Sequence, residues 1–253
     1  MAIDYIYLDS VDSTNNWVKK HTGELTSFTC VTAREQTSGR GRFERHWVSP
    51  RDQNIYATLY FTLASYLPNI GQLMAFSCVK MLRRHGFSAL VKWPNDILID
   101  TKKAGGVLTE TLSHQNQIDV IVGIGLNVNM EEEALQTIDQ AATSMAASAG
   151  KPWNLSQILH ELMDQFLADL SLLQDKGFKP FRREFENCLA YKGQTISCLD
   201  GTRKIEGICQ GMTDDGKLIL LLPNHETIEL SSGEVTTTSY PAKQIKGTPK
   251  DSH

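Results

Sequence analysis

Apolar and aromatic residues crowd positions 3–8, a strand-like run. Asp12, Ser13, Thr14, Asn15 and Asn16 are N-cap types, and Trp17, Val18 and Lys19 continue from them into a helix that Gly23 can end. Residues 28–33 and 54–63 read as strands, the second carrying Ile55, Tyr56, Leu59, Tyr60 and Phe61. Leu73, Met74, Phe76, Val79, Met81 and Leu82 then recur at helical spacing over residues 71–85, before Gly86. Four further strands are expected at 89–91, 97–99, 106–112 and 118–125, with a tight turn at Asp100-Thr101-Lys102. Glu131-Glu132-Glu133 reads as a solvated loop or helix start. Asn154 with Gln157 resembles a capping box, opening a long amphipathic helix through Leu170.

After Gly193 the texture changes. Runs at 194–199, 203–212, 217–222 and 226–230 are strand-like and are separated by Asp200-Gly201, Asp214-Asp215-Gly216 and Pro223-Asn224. They predict a small all-β module of about 50 residues with hairpin spacing, its boundary near Tyr191-Lys192-Gly193. The last residues are polar and expected to fray.

Composition changes this picture little. The 253 residues are 41% hydrophobic and 21% charged, ordinary for a globular protein. A net charge of −4 argues against a general polyanion binder. No apolar run approaches the ~20 residues of a membrane span, and Met1-Ala2-Ile3-Asp4 lacks a basic signal-peptide start, so no membrane partner is expected. The five cysteines are odd in number, scattered and form no C-x-x-C pair, which predicts buried reduced thiols and a cytoplasmic protein.

Chemistry concentrates in residues 36–47, Gln-Thr-Ser-Gly-Arg-Gly-Arg-Phe-Glu-Arg-His-Trp. Glycines let backbone approach a ligand closely, and guanidinium groups grip phosphates and carboxylates. Gly39 and Gly41, with three like charges nearby, make this loop costly to order, so it is expected to stand open until an anionic ligand folds it. Other nucleotide signatures are absent. Gly39-Arg40-Gly41 and Gly123-Ile124-Gly125 lack the third glycine of a dinucleotide fingerprint, and no Walker sequence occurs. Taken singly, Ser13 reads best as an N-cap, Trp47 and Trp93 as core, and Lys103 as an exposed turn lysine.

Taken jointly they read differently. The segments Asp12-Ser13-Thr14-Asn15, residues 36–47, Lys92-Trp93-Pro94-Asn95-Asp96, Lys103-Ala104-Gly105-Gly106-Val107-Leu108-Thr109-Glu110 and Gly123-Ile124-Gly125-Leu126-Asn127, in this order and spacing, resemble the biotin–protein ligases. The module after Gly193 is similar to that family's C-terminal barrel. The resemblance implies an α+β fold. A mixed, mainly antiparallel sheet with helices would form a catalytic domain over 1–192, followed by a small SH3-like β-barrel over 193–240 and a flexible tail over 241–253. The implied activity is adenylation of biotin with ATP and Mg2+, then transfer to a lysine of a biotin carboxyl carrier protein or similar domain. Ser13, Thr14, Asn15 and Gln36 resemble the groups that hold the ureido ring. Gly39, Arg40, Gly41 and Arg42 resemble the loop that closes over biotin and phosphate, with Arg42 and Lys103 the catalytic cations. Arg45, Trp47, Lys92, Asn95, Asp96 and Asn127 fall on the ATP side, with Asp96 a magnesium ligand and Trp47 placed for adenine.

The family resemblance also allows a homodimer. Some members begin with a DNA-binding winged helix; here the Ser-Thr-Asn motif starts at Ser13, so no sequence-specific DNA partner is expected. The enzymatic alternative is a lipoate or octanoate protein ligase sharing the broad fold, against which Gly-Arg-Gly-Arg and Lys-Trp-Pro-Asn-Asp favour biotin. A nucleic-acid-binding regulator using the arginine loop is a third reading, opposed by the acidic net charge.

Overall fold

Strands β1 (Asp4–Leu8) and β2 (Thr29–Ala33) run parallel, which requires a crossover, and helix α1 (Thr14–His21) supplies it. The remaining ladders of this sheet are antiparallel. They join β3 (Ile55–Leu63), β4 (Ala89–Lys92), β5 (Asp96–Ile99), β6 (Lys102–Ser113) and β7 (Ile118–Leu126) in the order β1-β2-β3-β7-β6-β5-β4. This computed structural model describes residues 2–237, so the expected tail at 241–253 lies outside the described residues.

The period-2 alternation of the strands gives the sheet two unlike faces. One presents Ala57, Leu59 and Phe61 of β3 with Val120, Val122 and Ile124 of β7 to helices α2 (Ile70–Arg84) and α5 (Leu155–Lys176), forming the main core. On the other face α1 covers only part of the sheet, packing Val18 with Val31, Tyr60 and Ile121. Beyond that cluster the uncovered strands carry small residues: Gly123 pairs with Thr58 on one side and Leu108 on the other, and Gly125 pairs with Tyr56 and Gly106. The missing side chains leave a hollow beside the N-terminus of α1.

Short helices α3 (Glu132–Leu135), α4 (Met145–Ala149) and α6 (Arg182–Glu186) complete the connections; α4 and α6 are too brief for periodicity to announce them. The capping box expected before α5 is half formed. Asn154 Oδ1 accepts from Gln157 N at 3.0 Å, whereas the Gln157 amide donates onward to Glu161 at 2.8 Å. Asn154→Ala is therefore expected to cost ~1 kcal/mol, read as a lower denaturant midpoint at unchanged m-value; an unmoved midpoint would show that the cap contributes nothing.

The C-terminal module has five antiparallel strands, one more than expected. They are β8 (Thr195–Asp200), β9 (Arg203–Met212), β10 (Leu218–Leu221), β11 (Thr227–Leu230) and β12 (Glu234–Thr237), ordered β11-β10-β9-β8-β12. Its interior residues, including Ile196, Cys198, Ile205 and Leu220, are continuous with the main core. All five cysteines are buried and free, and burial pushes the Cys30 thiol up to about 12. Among the described residues no helix is long and apolar enough to cross a membrane.

Candidate active site

The hollow holds a polar cluster at its α1 end. Ser13 occupies the N-cap position of α1, yet its hydroxyl makes no cap bond, leaving a buried hydroxyl on the pocket wall. Gln36 Oε1 accepts from Thr14 N (2.9 Å) and Thr14 Oγ1 (3.2 Å), while its Nε2 donates to Ser49 Oγ (3.0 Å). Thr58 Oγ1, fully buried on β3, lies 2.7 Å from Asn15 Oδ1 and 2.8 Å from Thr14 Oγ1. Asn15 Nδ2 reaches Leu108 O (3.2 Å) and Glu110 Oε2 (3.0 Å). Because each of these groups binds the next, the cluster is pre-oriented for a small polar ligand.

The arginine loop arches over the same hollow. Gly41 N donates to Arg45 O, Trp47 N donates to Gly39 O, and Arg40 bridges to His46, so the loop is folded into a flap. The like charges do not force it apart because each has its own partner. Arg40 pairs with Glu110 at 3.1 Å, and Arg45 meets Glu234 of β12 at 2.6 Å. Arg42 donates to Asn95 Oδ1 (2.8 Å) and Gly233 O (3.3 Å). Burial pulls the Arg42 guanidinium below its ordinary value. The C-terminal module thus touches the flap through Gly233 and Glu234.

The opposite wall is cationic. Lys103 Nζ lies 2.7 Å from Asp96 Oδ1 and 5.7 Å above the Trp47 ring, and Lys92 Nζ lies 3.7 Å from Asp96 Oδ2. Burial pulls the Lys92 ammonium down; Asp96 opposes this and Lys103 adds to it. Asn95 clamps the edge by donating from Nδ2 to Val107 O and accepting Val107 N at its carbonyl. Two ammonium groups already face the Asp96 oxygens. Among the described residues no cluster of three metal-ligating side chains exists, so a resident magnesium site built by protein alone does not fit here.

Most residues expected from sequence converge on this one pocket. Ser13, Thr14, Asn15 and Gln36 line one end; Arg40, Gly41, Arg42 and Arg45 lie above; Trp47, Lys92, Asn95, Asp96 and Lys103 line the other. Two do not line it. Gly39 is a packing glycine: a Cβ there would lie 2.5 Å from Trp47 O and 2.7 Å from Ser49 Oγ. Asn127 is buried behind the wall, its Nδ2 on Thr143 O at 3.1 Å, where it holds the chain entering α4. Sequence reading also missed contributors. Thr58, Glu110 and Glu234 touch the expected residues from distant strands; Glu110 closes the segment 103–110 without a role being read for it, and nothing local marks Thr58 or Glu234.

Known proteins resemble this chain in sequence and in fold. Residues 7–127 match the Biotin/lipoate A/B protein ligase family and residues 192–236 the Biotin protein ligase C terminal domain. The biotin–[acetyl-CoA-carboxylase] ligase of Paracoccus denitrificans is 30% identical over 226 residues, covering 85% of this chain and 93% of that protein. The bifunctional ligase/repressor BirA of Salmonella typhimurium is 27% identical over 218 residues, 84% of this chain and 68% of that one. Among solved structures, the biotin protein ligase from Aquifex aeolicus in complex with biotin and ATP superposes with a TM-score of 0.79 at 30% identity, covering 92% of this chain and 97% of that one. With both modules matched in order and the fold reproduced nearly end to end, this chain belongs to the biotin–protein ligase family.

Proposed function

We infer that this protein joins biotin to ATP, forming biotinyl-5'-AMP and pyrophosphate, and then transfers the biotinyl group to a lysine of a biotin carboxyl carrier protein or similar domain, releasing AMP. The observation that carries this is the pairing, within one glycine-floored pocket, of a neutral polar cluster with a cationic wall. A ureido ring needs hydrogen-bonding groups of fixed orientation, which Ser13, Thr14, Asn15 and Gln36 supply. Bringing a carboxylate to an α-phosphate unites two anions, and preorganised cations lower that cost most where charge develops. Lys103 and Arg42 take this role. Arg40, Arg45 and Lys92 hold phosphate oxygens, Asn95 fixes the wall, and Trp47 meets adenine.

Magnesium enters with the nucleotide as MgATP, held mainly by phosphates, as is usual for this ion. Asp96, now paired with Lys103 at 2.7 Å, would be the residue to offer that ion a carboxylate oxygen. Residues 1–192 form the catalytic domain and 193–240 the C-terminal domain, which supports the flap. The buried thiols fit a cytoplasmic enzyme. The test is incubation with ATP, magnesium and biotin, lipoate or octanoate in turn, followed by mass analysis. Biotinyl-adenylate is the expected product; lipoyl- or octanoyl-adenylate without it would overturn the substrate assignment.

A further inference from the structure

Glu110 does not line the pocket, yet it gathers three of the elements that build it. Its carboxylate, 21% exposed, receives Lys19 Nζ at 2.8 Å, Arg40 at 3.1 Å and Asn15 Nδ2 at 3.0 Å. Lys19 and Asn15 lie one turn apart on α1, Arg40 belongs to the flap, and Glu110 itself projects from β6. Burial pushes the Glu110 carboxyl up, but the hydrogen bonds from Lys19 and Asn15 and the charges of Arg40 and Lys19 outweigh it and hold it below its ordinary value. The group is an anion at neutral pH, and only an acceptor.

That fixes the orientation of a neighbouring amide. The terminal atom of Asn15 facing β6 meets two pure acceptors, the Leu108 carbonyl and the Glu110 carboxylate, so it must be the NH2. The amide oxygen then points the other way, toward Thr58 and the surface of Gly123 on the pocket floor. We propose that Glu110 is a positioning residue for substrate choice: it locks Asn15 with its oxygen toward the ligand, so that the pocket demands an N–H donor there. A ureido N–H satisfies the demand. A dithiolane or an alkyl chain offers no donor to that buried oxygen beyond the Thr58 hydroxyl it already receives, leaving its second lone pair unmet, and sites built to hydrogen-bond reject such analogues strongly. The proposal rests on the reading of the pocket as a biotin site.

Biotin-dependent exchange of pyrophosphate into ATP tests it in the full chain. Glu110→Ala removes one of the two acceptors that hold the Asn15 NH2 toward β6, leaving Leu108 O alone; the KM for biotin is expected to rise about tenfold or more, the equivalent of one net hydrogen bond of about 1.4 kcal/mol. The KM for ATP is expected to stay within about threefold. Glu110→Gln keeps an oxygen for Asn15 Nδ2 while Lys19 and Arg40 turn to solvent, so its biotin KM is expected to stay near that of the unaltered protein. An unchanged biotin KM in Glu110→Ala overturns the proposal, and so does an equal rise in both variants. Should Glu110→Ala fail to fold, Asn15→Asp carries the same question by setting a carboxylate against Glu110. Adding Glu110→Gln to it recreates a donor–acceptor pair and should recover about tenfold in biotin KM; no recovery overturns the proposal. If the unaltered protein makes no biotinyl-adenylate, the site reading itself fails. If it does and Glu110 proves silent, only this inference fails.

Discussion

Lys103→Ala is expected to slow biotinyl-adenylate formation by ~10²–10³, the usual loss when one preorganised charge-stabilising group leaves an active site. The backbone around it should not move. Lys103 N donates to Ala141 O at 2.9 Å and its carbonyl accepts from Thr143 N at 2.9 Å, so the strand start is held whatever the side chain. What is lost is the ammonium of a side chain only 16% exposed, whose companion Asp96 is then left with Lys92 at 3.7 Å. Lys102, next in the chain, is exposed and makes no contact with the pocket. Lys102→Ala should therefore change the rate less than about threefold, within the range of surface substitutions. Single-turnover formation of the adenylate, with both variants checked for unchanged thermal unfolding, decides the matter. Equal losses at the two positions would mean that the cation is not the reacting-site group.

That Lys103 lines the pocket while Lys102 does not accords with the segment 103–110 read from the sequence, and most of the framework that carries it was legible there too. The strands and long helices announce themselves because each buries a periodic apolar face, and the structure places them within a few residues of expectation. Strand β6 begins earlier than its apolar residues do. Lys102, Lys103 and Gly105 join the ladder by pairing with β5, which no hydrophobic pattern encodes. Strand β12 escaped notice because, of its first three side chains, only Val235 is buried. The site divides in the same way. Residues clustered in motifs were found, but contacts between segments were not: Glu110, though it ends a motif, meets Asn15 from 95 positions away, and Glu234 meets Arg45 from 189. Pattern alone does not tell a lining residue from a supporting one: Asn127 spends its NH2 group on Thr143, and Gly39 is small because Trp47 and Ser49 press on it.

Gly123 belongs to the residues whose meaning appears only in three dimensions, and Gly123→Ala should separate binding from folding. Its backbone lies in the ordinary strand ladder of β7, paired with Thr58 and Leu108, so an alanine is sterically acceptable to the main chain. The added Cβ, however, would lie 2.0 Å from Asn15 Oδ1 and 2.8 Å from its Cγ. The amide must retreat by about 1 Å or more to reach van der Waals contact, and displacements of that size in a positioned group typically cost ~10² in rate. We expect kcat/KM for biotin to fall by that factor. The KM for ATP should change little, because the cationic wall lies on other strands. Gly23→Ala is the control, since a Cβ there meets nothing within 4 Å. Biotin kinetics within twofold of the unaltered protein would show that Asn15 can yield without loss, and the polar cluster would then no longer account for how the pocket selects its acid.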